Sequence, residues 1–413
     1  MGEIEDDSGS ESSSTHSTPT RNPSDGIDIQ PTWPQSYRYV YISVISLVRI
    51  NVLCGVGLLA TPYAIKEGGW SSLSLLFIFG IIAFYTGILL QECLDSAPGL
   101  TTYPDVGQAA FGITGRLIVA AASIEYLIMM SDNLASLFPH TSMNFGGLHL
   151  DCHKIFSITA TLVVLPTVWL RDLTLLSYIS VGGVITTGVV VLCLLWIGLV
   201  DAVGFHPYGT ALDLSNLPVT IGLYGFAYAG HSVFPNIYSS MQEPKKFPFV
   251  LMISFVFCSL LNAGVGICGY LMFGDSIQSQ FTLNFPKEFV ASKVAIWTTY
   301  AMTLTPIALS LEELMPSKEL QSYSVSVIIR TILAISTLVV ALTLPYFGIV
   351  MSLIGSLLAM LITLIFPCVF YLKILQGKIS KLKIAFCIFN AVLGVFCACI
   401  GTYSALSRIA TRV

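Results

Sequence analysis

The chain has 413 residues, of which 54% are hydrophobic and only 10% charged, and its formal net charge is −4. A soluble domain carries about 25% charged residues, so the composition excludes an ordinary water-soluble fold. A total this small means little in such a chain and does not suggest a nucleic-acid partner.

Residues 1–34, which begin MGEIEDDSGSESSSTHSTPTRNPSD, are acidic and rich in Ser and Thr. Such a segment cannot bury enough apolar surface to fold, and it lacks the basic start and apolar core of a signal peptide. It is read as a disordered cytosolic tail, followed by a transmembrane domain over residues 35–413. From there apolar stretches recur that are each long enough to cross a hydrocarbon layer of about 30 Å as a helix. The fold class expected is an all-α polytopic membrane protein. Its eleven spans fall near 40–65, 70–97, 116–138, 155–170, 175–200, 216–240, 248–273, 290–315, 324–343, 346–375 and 384–407. With the tail in the cytosol, twelve Lys and Arg fall on its side (Lys245, Lys246, Lys373 and Lys383 among them). Six fall opposite, including Lys66 and Arg408. The excess supports a cytosolic N-terminus.

The first span contains CGVGLLATP (Cys54–Pro62), with a glycine pair and a proline inside an apolar run. The sixth, NLPVTIGLYGFAYAGHSVFPNIYSSM, contains Gly230 and Pro235 at the same separation as Gly57 and Pro62. The offset is 173 at both ends, 230 − 57 and 235 − 62. If a repeat holds five spans, the first and sixth are equivalent positions. The pattern predicts a five-plus-five inverted repeat with broken helices 1 and 6. The first repeat would cover about 40–200 and the second about 216–375, with an extra helix at about 384–407. An opening at mid-membrane frees main-chain N–H and C=O groups, which must face protein or a polar cavity. Bare N–H groups attract a carboxylate and bare carbonyls attract an ammonium, so the gap suits a zwitterionic amino acid. The plainer alternative is that the glycines only allow close packing and the prolines only kink their helices.

Polar groups inside the spans extend the candidate site. Glu125 and Asp132 lie in IEYLIMMSDNLASLF, seven residues apart and so on one helix face. Carboxylates in a membrane are costly and mark proton relays or cavities, although Asp132 can also be hydrated at an interface. His231, next to Gly230, titrates near neutral pH; it suits either proton coupling or a bond to a freed carbonyl. Arg49 can pair at an inner gate or snorkel to the cytosol, and Asn51 can bond the unwound backbone or a ligand. Thr298, Thr299, Thr303 and Thr305 line a pathway or back-bond within their helix. Nearly all ten cysteines lie in apolar runs and read as buried small residues. No metal-ligand spacing, nucleotide-binding loop or nucleophile constellation is present. No metal, cofactor or enzyme activity is therefore expected.

Five stretches carry a resemblance: INVLCGVGLLATPYAIKEGGW (50–70), CLDSAPGLTTYPDVGQAAFG (93–112), SDNLASLFP (131–139), IGLYGFAYAGHSVFPNIYSSM (221–241) and LSLEELMP (309–316). In order and over nearly the whole membrane domain, they resemble the plant vacuolar amino-acid transporters of the amino acid/auxin permease family. The resemblance implies an APC/LeuT-like fold and proton-coupled transport of neutral amino acids at the vacuolar membrane. The partners would be the amino-acid substrate, protons and the lipid bilayer. It implies a substrate site between Asn51, Cys54, Gly55, Val56, Gly57 and Leu58 on one side and Tyr224, Phe226, Tyr228, Gly230 and His231 on the other. Proton-coupling candidates are Glu125, Asp132 and His231, and gate candidates are Arg49, Pro62, Pro235 and Thr305. The chain departs from the family pattern at Val48-Arg49, at Met130, and at Trp297–Tyr300, where about seven residues are usually inserted. Two further readings stay open: an amino-acid sensor with little or no transport, and a plasma-membrane proton symporter.

Overall fold

The computed structural model describes residues 57–97, 99–123, 143–145, 148–150, 173–200, 203–207, 209–241, 243–286, 288–295, 298, 331, 347–377 and 379–412. The N-terminal tail, Arg49, Asn51, Cys54, Gly55, Val56, Glu125, Asp132, Met130 and Thr305 lie outside the described residues. So do the fourth span, nearly all of the ninth, and most of the first, third and eighth.

In chain order the helices are α1 (Gly57–Gly68), α2 (Ser72–Leu94), α3 (Tyr103–Ser123), α4 (Leu173–Leu199), α5 (Leu217–Ala227), α6 (Phe234–Ser240), α7 (Phe247–Phe273), α8 (Phe347–Ile354), α9 (Phe366–Ile374) and α10 (Lys381–Arg412). A two-stranded antiparallel hairpin, Met143–Phe145 with Leu148–Leu150, follows α3. Five helical stretches among the described residues are long and apolar enough to cross a membrane: Ser72–Leu94, Gly182–Leu199, Pro244–Ser276, Met351–Ile374 and Lys381–Thr411.

Local chemistry explains where these elements begin and end. Proline stands in the first turn of α7, where a missing N–H costs nothing. Gly274 closes the same helix at φ 51°, and its N–H bonds the Tyr270 carbonyl, a conformation that favours glycine. The stretch α3 begins well before the expected third span. Thr102 N donates to the Asp105 carboxylate (3.1 Å) and Asp105 N to the Thr102 hydroxyl (3.3 Å), a reciprocal pair that caps the helix N-terminus. The stretch then breaks at Phe111 and Gly112, the latter at φ 63°, ψ −151°. A loop-like composition had concealed this helix.

Helix α1 packs chiefly on α7 and α5, while α5 also packs on α8 and α10. Between α8 and α9 the chain makes two π-helical turns, Gly355–Ala359 and Leu361–Ile365. Tyr103 donates to the Ile362 carbonyl (2.8 Å) there. The turn after α1 is stitched to the loop before α5 by Trp70 N to Thr210 O (3.2 Å), Ser71 N to Ala211 O (2.8 Å) and Asp213 N to Gly68 O (3.2 Å). In that loop the Ser215 hydroxyl and the Asn216 amide hold the Asp213 carboxyl below its usual range. Seven described cysteines are free. Cys258 is buried, as the sequence reading has it, but it is disulfide-bonded and not a free thiol.

Two ion pairs sit near opposite ends of α10. At one end Lys383 pairs with Glu92 (2.8 Å), which also accepts from Tyr371 (2.7 Å), tying α10 and α9 to α2. At the other, Arg408 of α10 pairs with Glu67 of α1 (2.9 Å) and donates to Asn216, the residue before α5. The second pair is the more buried, with side-chain exposures of 24% and 10% against 42% and 36%. Removing one partner of a desolvated pair leaves an uncompensated charge, whereas an exposed pair contributes little. Arg408→Ala is therefore expected to cost about 1–3 kcal/mol and Lys383→Ala under about 1 kcal/mol. Melting of the purified variants in detergent checks the order.

Candidate functional site

The sixth span is broken. Helix α5 ends at Ala227, residues Tyr228–Val233 are not helical, and α6 starts at Phe234 with Pro235 in its first turn. The sequence explains the break. Gly230 gives no support to a helix interior, and Pro235 has no N–H to return to the preceding turn.

The first span behaves differently. Its described part runs as one helix from Gly57 through Pro62 to Gly68, so no opening lies between Gly57 and Pro62, and Asn51–Val56 of the expected break lie outside the described residues. Pro62 cannot bond the Leu58 carbonyl four residues back. The Thr61 hydroxyl bonds that carbonyl instead (2.9 Å), and the proline ring packs against Gly269 of α7. Two motifs of the same spacing therefore have different structures.

The two elements still meet. A Cβ added at Gly57 would lie 2.7 Å from the Cα of Ala227, so the first residue of α1 touches the last residue of α5. Leu58 is fully buried beside it.

The broken segment is pinned on both flanks. On one, His231 is fully buried, and its Nε2 lies 3.0 Å from the Ala83 carbonyl and 2.9 Å from the Thr86 hydroxyl of α2. A carbonyl only accepts, so Nε2 carries a proton; Nδ1 has no partner. On the other flank the Tyr228 hydroxyl meets the Ser259 hydroxyl of α7 at 2.6 Å, and its ring stacks on Phe255. Of the other candidates on this span, Tyr224 bonds Ser72 at the start of α2 (3.3 Å). Phe226 packs against Gly355 in the first π-helical turn. These two thus point to opposite sides of α5 rather than into one chamber.

Within the break several polar groups lack partners. Gly230 N bonds Tyr228 O and Val233 N bonds Gly230 O. No backbone bond from the N–H groups of His231 and Ser232 is present among the described residues. The Ser232 hydroxyl and both polar atoms of the Asn262 side chain, on α7, are buried and unpartnered. Each such group costs about 1–3 kcal/mol when left unpaired. The Ser232 hydroxyl and the His231 and Ser232 N–H groups lie together in the break, donors that suit a polar occupant. Neither Ser232, Thr86, Ser259 nor Asn262 was reached from sequence. An amide in the middle of an apolar run was the available signal for Asn262. Of the threonines expected near the eighth span, Thr298 back-bonds to the Val294 carbonyl (2.5 Å). Among the described residues no cluster of three or more His, Cys, Asp or Glu could hold a metal.

If Tyr228 and Ser259 hold the break to α7, their contributions are coupled. Tyr228→Phe and Ser259→Ala are each expected to cost about 1 kcal/mol of stability, and the double variant barely more than either. Thermal melting of the four proteins gives the coupling directly; additive losses would remove this contact from the account.

The family model for the transmembrane amino acid transporter protein matches residues 42–407. The amino acid transporter AVT1E of Arabidopsis thaliana is 56% identical over 393 residues, 91% of this chain and 75% of its own length. The amino acid transporter AVT1D of the same plant is 57% identical over 379 residues, covering 88% of this chain and 69% of its own. The vesicular GABA transporter of Caenorhabditis elegans is 25% identical over 369 residues, 81% of this chain and 72% of its own. A solved structure of a sodium-coupled sialic acid symporter is 12% identical, with a TM-score of 0.46, covering 88% of this chain and 89% of its own.

Proposed function

The chain belongs to the transmembrane amino acid transporter family, and on that premise we propose that it moves neutral amino acids across the vacuolar membrane by alternating access, driven by the proton gradient. It is a transporter and not an enzyme. The observation that carries this reading is the buried break at Tyr228–Val233. Bare N–H groups at His231 and Ser232 suit the substrate carboxylate, because main-chain donors in a water-poor site need no reorganisation to meet an anion. Gly57, which touches Ala227, forms the facing wall. The preference for neutral substrates rests on the resemblance read from the sequence; the ionic candidates Arg49, Glu125 and Asp132 lie outside the described residues.

His231 is the proton-coupling candidate that the described residues include. Its Nε2 proton is held by Ala83, and its free Nδ1 is the atom that would accept a second proton. Glu125 and Asp132, from their place in the sequence, remain partners in that role. Vacuolar placement with a cytosolic N-terminus rests on the resemblance read from the sequence and on the excess of Lys and Arg on the tail's side.

The test is uptake of labelled neutral amino acids into vesicles holding the purified protein, with and without a pH gradient. Uptake that collapses when an ionophore dissipates the gradient supports the proposal. Binding without flux would make the chain an amino-acid sensor, and gradient-independent uptake would remove the proton.

A further inference from the structure

A ring of polar contacts closes around the end of α1. One terminal nitrogen of the Arg408 guanidinium, on α10, pairs with Glu67 of α1 at 2.9 Å, and the other donates to the side-chain oxygen of Asn216, the residue before α5. The Asn216 side-chain nitrogen donates in turn to the Asp213 carboxylate (2.8 Å). The Asp213 N–H returns to the carbonyl of Gly68, the last residue of α1 and the neighbour of Glu67 (3.2 Å). Each orientation is forced. A carboxylate only accepts, so the Asn216 NH2 faces Asp213, and its oxygen is left for a guanidinium, which only donates. Holding two acceptors on two different elements at once suits the rigid fork of an arginine and not the single point charge of a lysine. The helix that carries Arg408 is itself seated. Two turns earlier, a Cβ added at Gly401 would lie 2.4 Å from the Ser356 Cβ, in the first π-helical turn, and 3.4 Å from the Pro218 carbonyl oxygen of α5.

Resting on the transport reading above, we propose that Arg408 is a positioning residue for transport: it yokes the end of α1 to the start of α5 and so holds the two walls of the site, Gly57 and Ala227, in the arrangement that takes substrate. Arg408 acts from a distance, since its partner Glu67 lies about 15 Å along α1 from Gly57. The link is mechanical. Between the ring and the Gly57–Ala227 contact, the Thr220 hydroxyl of α5 donates to the Ala64 carbonyl of α1 (3.0 Å). The two helices thus run side by side, antiparallel, from the ring to the edge of the break. A helix is stiff over this length, so freeing one end lets α1 tilt against α5 and part the walls at the other. The binding-competent arrangement is then less populated, and the apparent affinity falls by the same fraction. Once substrate bridges the walls, its own contacts hold them together, so the maximal rate changes little.

The experiment measures uptake against substrate concentration in vesicles holding the full chain, with whichever of labelled alanine, serine, leucine and glutamine the wild type takes up fastest. Arg408→Lys keeps a charge opposite Glu67 and gives up the fork. It is expected to raise KM about fivefold or more, with the maximal rate per folded protein within about twofold of the wild type. Asn216→Ala cuts the same ring at its next link and is expected to do the same. The double variant is expected to be no worse than either single one, because the ring is already open. If Arg408→Lys proves unstable, Asn216→Ala, which leaves the Glu67–Arg408 pair in place, carries the test alone. A lower maximal rate at unchanged KM would reduce Arg408 to a structural strut and overturn the proposal, as would independent effects of the two substitutions that multiply in the double variant; both leave the transport reading standing. A wild type that takes up none of the four amino acids overturns the transport reading itself.

Discussion

Gly57→Val is expected to reduce amino-acid uptake at least tenfold while leaving a protein that can be purified as a single species. The space beside Gly57 is already filled by main chain: a Cβ there would stand 2.7 Å from Ala227 Cα and 3.1 Å from Ala227 Cβ. No rotamer change relieves that approach, so α1 and α5 must separate. Overpacking of this kind costs about 1–3 kcal/mol, which a helix pair held by α7 and by the Glu67–Arg408 pair can absorb. The facing walls of the proposed site cannot absorb the displacement, because a shift near 1 Å spoils a constellation of short polar contacts. Gly57→Ala should fall between the two. Uptake and size-exclusion profiles measured side by side decide the matter; a valine variant that transports like the wild type would show that the two elements need not touch.

A larger structural loss is expected from Gly355→Leu. Here two backbones cross with nothing between them. A Cβ on Gly355 would lie 1.9 Å from the Gly222 carbonyl oxygen, and one on Gly222 would lie 2.3 Å from the Ser352 carbonyl oxygen. Small residues at such crossings are how membrane helices approach closely. A leucine side chain requires α5 and the π-helical turns after α8 to part along their length. No monodisperse protein is expected from this variant. Gly264→Ala is the control, since nothing lies within 4 Å of its added Cβ and alanine suits a helix interior better than glycine by about 1 kcal/mol. That variant should melt at or above the wild-type temperature. Equal tolerance of both substitutions would mean that α5 and α8 are not in this register.

The membrane-spanning character was legible from the sequence because hydropathy is local: each residue of Ser72–Leu94 or Lys381–Thr411 contributes to it wherever its neighbours pack. The break in the sixth span was legible for a similar reason. Gly230 and Pro235 remove helical support on their own, and the structure places the interruption at Tyr228–Val233, across Gly230. At Gly57–Pro62 the described residues are helical through the proline, while Asn51–Val56 of the same expected break lie outside the described residues. A proline breaks a helix only if the carbonyl it abandons finds nothing better, and Thr61 supplies that partner from within the turn. Pairing choices of this kind depend on side-chain geometry that residue spacing does not encode. The helical start of α3 was hidden in turn-forming residues, and only its reciprocal capping by Thr102 and Asp105 reveals it.

By itself the sequence determined that the chain lives in a membrane, where its sixth span opens and which histidine stands at the opening. The tertiary structure decided what that opening faces. His231 is held by a carbonyl of α2, Tyr228 by a hydroxyl of α7, and Gly57 meets Ala227. These residues are far apart along the chain, and the contact between them is created by helix packing. Hydropathy sets that a helix crosses the bilayer; the crossing points of small residues such as Gly57, Gly222 and Gly355 set which side chains share its interior.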